Sequence, residues 1–223
     1  MTAPLWFAAL LAAYGLAELI FVRMGRKAWL HPVLLPSALC IAAILYFKLP
    51  FTEFEQGTRI FHLLLMAAVA ALALPLYRNI SAIRKDPTAV VAAIVGGSIA
   101  GSGSAVVISI LLGGQVTLSA SLAVKSVTTP IAIIVAEQIG GIPSISAAVV
   151  ITTGLVIAIA GPKVLRLFGI EGDITVGIAM GTAGHGLGMA EAVRRSELMG
   201  AAAAFAMAAN GLVTAVLLPI FWP

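Results

Sequence analysis

Charged residues and cysteines are both scarce in this sequence, and each scarcity excludes a class of protein. Only 10% of the 223 residues are charged, whereas 61% are hydrophobic, and the mean hydropathy is +1.11. This composition excludes an ordinary soluble domain and is typical of an all-α polytopic integral membrane protein, whose first partner is the lipid bilayer. Cys40 is the only cysteine, so an internal disulfide is impossible and we expect a packing role for this residue.

Basic domains and metal-ligand clusters are also missing. The 13 lysines and arginines stand singly or in twos and threes between apolar runs, although the net charge is +4. They fit the short cytoplasmic loops of a membrane protein, so no nucleic-acid partner is expected. No metal or other cofactor is expected either. The first apolar run, 5–22, lacks a basic region before it and contains Glu18, which favours a retained span over a cleaved signal peptide.

Six apolar runs predict about six full membrane spans. They lie at about 5–22, 32–49, 58–76, 88–112, 144–160 and 199–218. Arg23, Arg26 and Lys27 follow the first run, and the acidic segment 52–56 follows the second. Because short basic loops stay in the cytoplasm, we expect a multi-pass protein of the plasma (bacterial inner) membrane with its N-terminus outside.

The stretch 119–141 carries costly polar groups within an apolar region. They are Lys125, Ser126, Thr128, Thr129 and Glu137. A lysine at the bilayer centre costs roughly 2.5–3.5 kcal/mol, so such a charge indicates a functional site. Pro130 favours a helix start and disfavours helix at Thr129, so one helix should end near Lys125–Ser126 and another begin at Pro130.

The exposed N–H groups of that second half-helix predict an anion site. Lys125, Ser126, Thr128 and Thr129 are therefore candidate substrate-binding residues, and Glu137 is a candidate coupling residue. The structural alternatives are a lysine that snorkels to the interface, an ion pair between Lys125 and Glu137, and hydroxyls used only for capping or packing.

A glycine-rich motif at 181–188 predicts a second break. His185 lies between two glycines and titrates near neutral pH, which suits substrate binding or proton coupling, although a buried structural histidine is the alternative. Thr182 adds a hydroxyl, and Asn210 in the last run either bonds the joint or packs. Thr182, His185 and Asn210 complete the predicted substrate-binding set.

An internal repeat relates the two motifs, because 122–132 aligns with 178–188 at a shift of 56 residues. We predict one domain, 1–223, made of N-terminal spans at 1–112 and repeat units at 113–167 and 168–223. Each unit would hold one broken half-helix hairpin and one span, in the inverted orientation of secondary transporters. Short half-helices favour re-entrant hairpins, and fully crossing broken helices remain the rival.

A stripe of small residues from Gly96 to Ser104 predicts close approach of another helix, in this chain, a partner or a homodimer. The serine Ser102 in this stripe has no oriented base pair with His185, so no enzymatic activity is expected.

Three segments resemble the LrgB/CidB family, which includes the C-terminal half of the plastid glycolate/glycerate translocator. They are KSVTTPIA at 125–132, EQIGGIPS at 137–144 and GTAGHGLG at 181–188. The resemblance covers nearly the whole chain, including ALPLY at 73–77. Val124 stands where the family usually has Pro, and Gly184 where it usually has Ser, so one hydroxyl of the family pattern has no counterpart here.

The resemblance implies an inner-membrane protein that works with a small LrgA/CidA-like membrane partner. It also implies two functions: carrying small monocarboxylates such as glycolate, glycerate, pyruvate or 3-hydroxypropionate, or holin/antiholin-like regulation of murein hydrolase export and autolysis. A passive pore needs amphipathic lining helices, whereas this chain has two broken motifs and an intramembrane lysine. We therefore expect a carrier of a small organic anion, with the antiholin-like role as the alternative.

Overall fold

The computed structural model describes residues 3–25, 30–71 and 73–222, and the secondary structure over these ranges is helical, with no strand. The helices are α1 (Ala3–Arg23), α2 (Leu34–Tyr46), α3 (Phe51–Ala71), α4 (Ala73–Ile83), α5 (Pro87–Leu111), α6 (Val116–Ala123), α7 (Thr129–Gln138), α8 (Pro143–Leu167), α9 (Asp173–Val193) and α10 (Glu197–Phe221). They form two compact units, Met1–Ala71 and Leu72–Pro223. The all-α prediction is confirmed for the described residues.

Four of the described helices are long and apolar enough to cross a membrane. These segments are Leu5–Arg23, Pro87–Leu111, Pro143–Leu167 and Glu197–Phe221. Helix α2 has only 13 residues, fewer than the roughly 20 that a full span needs. The number of six full spans therefore remains a prediction. The four long apolar helices agree with a helical membrane protein.

Boundaries in the first half of the chain differ from the sequence prediction. The acidic segment 52–56 was expected as a turn, but it lies in α3, where Glu53 occupies the first turn. A carboxylate there interacts favourably with the positive end of the helix dipole. The third apolar run was expected to end at residue 76, but α3 ends at Ala71 and residues 77–83 belong to α4, in which Asn79 Nδ2 donates to the Pro75 carbonyl at 2.9 Å. The predicted loop residues Arg26 and Lys27 lie outside the described residues.

The first unit is held by aromatic contacts between α1 and its neighbours. Trp6 is 3% exposed and its ring meets that of Phe54 edge-on at 5.1 Å. A side chain at Gly57 would come within 2.6 Å of the Trp6 ring, so the glycine allows α3 to pack closely on α1. Cys40 is half-buried in α2, with a free thiol.

The second unit is built around a close crossing of α9 and α10. A Cβ at Gly181 would collide with the backbone carbonyl of Ala203, and one at Gly200 would lie 2.7 Å from Val193. Small residues on both helices thus let the backbones touch, as membrane helices commonly do. This crossing places Thr182 on α9 and Asn210 on α10 in the same buried region.

Both predicted breaks occur. Helix α6 ends at Ala123, two residues before the predicted end at Lys125, and α7 starts at Thr129 with Pro130 as its second residue. In α9 the chain is helical on both sides of His185, whose φ of 40° and ψ of −129° interrupt the helix. A Cβ at Gly184 would lie 2.5 Å from Ile157 Cγ2, so this glycine lets α8 approach the break closely.

Candidate functional site

One carboxamide connects the two breaks. Asn210 on α10 is fully buried, and its Nδ2 donates to the Ser126 carbonyl at 2.7 Å and to the Thr182 carbonyl at 3.1 Å. Its Oδ1 accepts from the hydroxyl of Ser98 on α5. Asn210 therefore ties together the joint between α6 and α7, the end of the first part of α9, and α5.

These bonds define what Asn210 can do. The Ser126 carbonyl lies between two helices, and the Thr182 carbonyl lies just before the break at His185, so both need a partner outside a regular helix. An asparagine amide has two N–H donors, and both are used here. Asn210 thus has no N–H donor left for the predicted contact with substrate. It is best described as a positioning residue for the two joints.

Helix α5 offers both joints a surface without side chains. A Cβ at Gly97 would lie 2.9 Å from Thr182 Cγ2. A Cβ at Gly101 would lie 3.2 Å from Ser126 Oγ and 4.0 Å from Lys125 Nζ. The small-residue stripe therefore does allow close approach, and what approaches is the pair of broken segments of the same chain.

Lys125 and Thr182 both have hydrogen-bonding capacity left for a ligand. Lys125 is half-buried and its Nζ donates to Ser126 Oγ at 3.3 Å, which uses one of three ammonium hydrogens. Thr182 is 5% exposed, and its Oγ1 has no hydrogen-bond partner among the described residues. A buried hydroxyl without a partner is rare and costly, so Thr182 Oγ1 is a candidate contact for a ligand atom.

His185 is buried against the backbone of α8. Its Nε2 lies 2.9 Å from the Val150 carbonyl, and because a carbonyl only accepts, this nitrogen carries the hydrogen. A Cβ at Gly154 would lie 2.7 Å from the same nitrogen. The bond fixes one side of the ring structurally, and the predicted substrate or coupling role of His185 stays a prediction.

The remaining predicted residues surround the start and end of α7. Thr128 precedes the helix without a side-chain capping bond, and Thr128 and Thr129 are half-buried. Glu137 is exposed near the other end of α7. In the part of the chain that the structure describes, no group of three or more His, Cys, Asp or Glu residues could hold a metal ion.

Sequence reasoning missed several contributors to this site. Ser98 and Gly97 were recognised only as members of the small-residue stripe, and Val150 and Gly154 were not predicted to contact the site. Their pairing with Asn210, Thr182 and His185 depends on which faces of apolar helices meet. In helices that are apolar on most faces, hydrophobic periodicity does not indicate which face packs against a neighbouring helix.

Comparisons with known proteins agree on one family. The sequence model of the LrgB-like family matches residues 10–223. Proteins named "Antiholin-like protein LrgB" from Bacillus mycoides and Bacillus cereus are each 31% identical to this chain over 213 residues, which is 96% of this chain and 93% of each relative. No solved structure matches the chain.

Proposed function

The chain belongs to the LrgB-like family, and we propose that it carries a small organic monocarboxylate across a bacterial inner membrane. The observation that carries this proposal is the buried Thr182 hydroxyl, which has no hydrogen-bond partner among the described residues. It lies where Asn210 joins the two broken segments, the first of which carries the half-buried Lys125. As a carrier it would catalyse no covalent chemistry.

The geometry along α5 supports an anion of two or three carbons. Gly97, which faces Thr182, and Gly101, which faces Lys125, are four residues apart, or about 6 Å along a helix. The carboxylate and the hydroxyl or keto oxygen of such an anion are about 3 Å apart, and a hydrogen bond of about 3 Å at each end lets the anion reach both Lys125 and Thr182. Glycolate, glycerate, pyruvate and 3-hydroxypropionate all have this pair of groups.

Element order supports the inverted-repeat part of the proposal. Two short helices, α6 and α7, precede the 25-residue α8, and the two parts of α9 precede the 25-residue α10. We propose that the two units have opposite orientations and that the N-terminus lies outside. Broken backbone at membrane depth is tolerated where it is buried in protein or faces a water-filled cavity, as a carrier site provides.

The names of the relatives favour a second candidate function. Both are called antiholin-like, and these names support antiholin-like regulation of murein hydrolase export more directly than they support transport. Under either function we propose an LrgA/CidA-like small membrane protein as the partner, and a homodimer as a further assembly. An anion site is compatible with a role in autolysis if transport of the solute controls murein hydrolase export.

Flux into proteoliposomes separates the two candidates. Purified protein should admit labelled glycolate or pyruvate, with and without the small partner, and Thr182→Val should reduce this flux. Thr152→Val is the matched control, because its hydroxyl bonds the Ala148 carbonyl of its own helix on an exposed face. Absence of flux under both conditions, with a change in autolysis when the chain is deleted, would refute the carrier and favour the antiholin-like function.

A further inference from the structure

A pocket of about 410 Å³ lies at the C-terminal end of α8 and is lined by charged residues of both signs. Arg166 comes from the last turn of α8, Glu171 from the connection that follows it, Asp173 from the start of α9, and Arg195 from the turn before α10. Its size is within the range of small-molecule sites. None of these residues belongs to the region around Asn210.

Two of the four charges are held in place by neighbours. Arg195 Nη2 and Nε donate to Glu191 Oε1 at 2.9 and 3.0 Å. Asp173 Oδ2 accepts from the hydroxyl of Ser196 at 2.6 Å, and that hydroxyl also caps α10. Glu191 therefore orients Arg195 on one wall of the pocket and offsets part of its charge, and Ser196 orients Asp173 on the other wall. The Arg166, Glu171 and Arg195 side chains are exposed.

This charge arrangement selects against ligands of a single sign. A simple anion that meets the two guanidinium groups also faces the two carboxylates, and a simple cation faces the guanidinium groups. A zwitterion with a phosphate at one end and an ammonium at the other satisfies both walls. Guanidinium groups pair well with phosphate oxygens, and carboxylates accept from an ammonium group.

The position of the pocket points to a lipid as the source of such a zwitterion. Helix α8 has 25 residues and is therefore about 37 Å long, which exceeds the roughly 30 Å hydrocarbon core of a bilayer. Its charged end thus reaches the headgroup layer. Ile170 is half-buried and also lines the pocket, so it gives apolar contact for the glycerol and first acyl carbons.

We propose that this pocket binds the headgroup of phosphatidylethanolamine, with Arg166 and Arg195 on the phosphate and Glu171 and Asp173 on the ammonium. The bound lipid would hold the end of α8 against the start of α10. This inference does not depend on which solute, if any, the chain carries.

Native mass spectrometry of the full chain in detergent tests the inference. We expect wild-type protein to retain phosphatidylethanolamine in preference to phosphatidylglycerol with the same acyl chains. Arg166→Gln and Glu171→Gln should each reduce this retention by about tenfold, the loss expected for one charge-assisted hydrogen bond. Lys163→Gln, an exposed lysine on α8 outside the pocket lining, should retain the lipid as the wild type does.

Three outcomes would overturn the assignment. Equal retention of phosphatidylglycerol would indicate a plain anion site, and an equal loss in Lys163→Gln would indicate a diffuse charge effect. Displacement of the lipid by free phosphoethanolamine at the same concentration would indicate a soluble ligand. The two variant side chains are exposed, so unfolding temperatures near that of the wild type are expected and should be measured alongside.

Discussion

Replacing Thr182 by valine separates a binding role from a structural one. Valine keeps the shape of threonine and the methyl group that packs on Gly97, but it removes the Oγ1 that has no partner among the described residues. Burying an unpaired hydroxyl costs about 1–3 kcal/mol on the scale of protein mutations. Thr182→Val should therefore leave the free energy of unfolding unchanged or raise it.

The same substitution should weaken anion binding. A hydrogen bond between the neutral Thr182 hydroxyl and the hydroxyl or keto oxygen of the ligand contributes about 0.5–1.5 kcal/mol, so the Kd for glycolate or pyruvate should rise by about 2- to 10-fold. If stability rises by about 1 kcal/mol, the unfolding temperature of a chain this size rises by about 2–4 °C. Thermal unfolding in detergent and equilibrium binding of labelled anion measure the two effects on one preparation.

The distinguishing result is weaker anion binding together with an unfolding temperature that is unchanged or higher. A fall of several degrees in the unfolding temperature would mean that the Thr182 hydroxyl has a structural partner. An unchanged Kd would mean that the hydroxyl does not contact the anion. Thr152→Val should change neither affinity nor flux, since its hydroxyl bonds only within α8.

Three further predictions follow from the same contacts. Asn210→Leu should destabilise the fold by about 3–5 kcal/mol because it leaves two buried carbonyls and the Ser98 hydroxyl unpaired; an unfolding temperature near that of the wild type would contradict this. Gly101→Ala should reduce flux by displacing Ser126 Oγ, which accepts from Lys125 Nζ, whereas Gly103→Ala, with nothing within 4 Å of its Cβ, should not; equal flux in the two variants would contradict it. A cysteine at position 55 should react with an impermeant external thiol reagent and one at position 194 should be protected, and the reverse pattern would invert the predicted orientation.

Local backbone chemistry made the breaks predictable from sequence. The Thr129–Pro130 pair restricts the backbone before proline and favours a helix start, so the restart of α7 was located to within one residue. The glycines near His185 predicted a second break, but they did not indicate that the histidine itself would adopt the positive φ. Non-glycine residues adopt that conformation only when the surrounding structure holds them there.

Long-range pairing was beyond the reach of the sequence. Ser98 and Asn210 are 112 residues apart, and they meet because α9 and α10 cross closely and α5 packs beside them. Asn210 was recognised as a polar residue in an apolar run, which is the signal that such groups give. Its partners could not be predicted, because two of them are backbone carbonyls, a group that every residue has.

Equilibrium binding of labelled glycolate and pyruvate to the purified chain, wild type against Lys125→Gln, tests the central claim most directly. Lys163→Gln is the control, since it removes the same charge from an exposed position on α8. The anion site predicts saturable binding in the wild type and the control, and a loss of about 10- to 100-fold in affinity in Lys125→Gln, as expected for a hydrogen bond to a charged group. Equal affinity in all three proteins, or no saturable binding in the wild type, would contradict it.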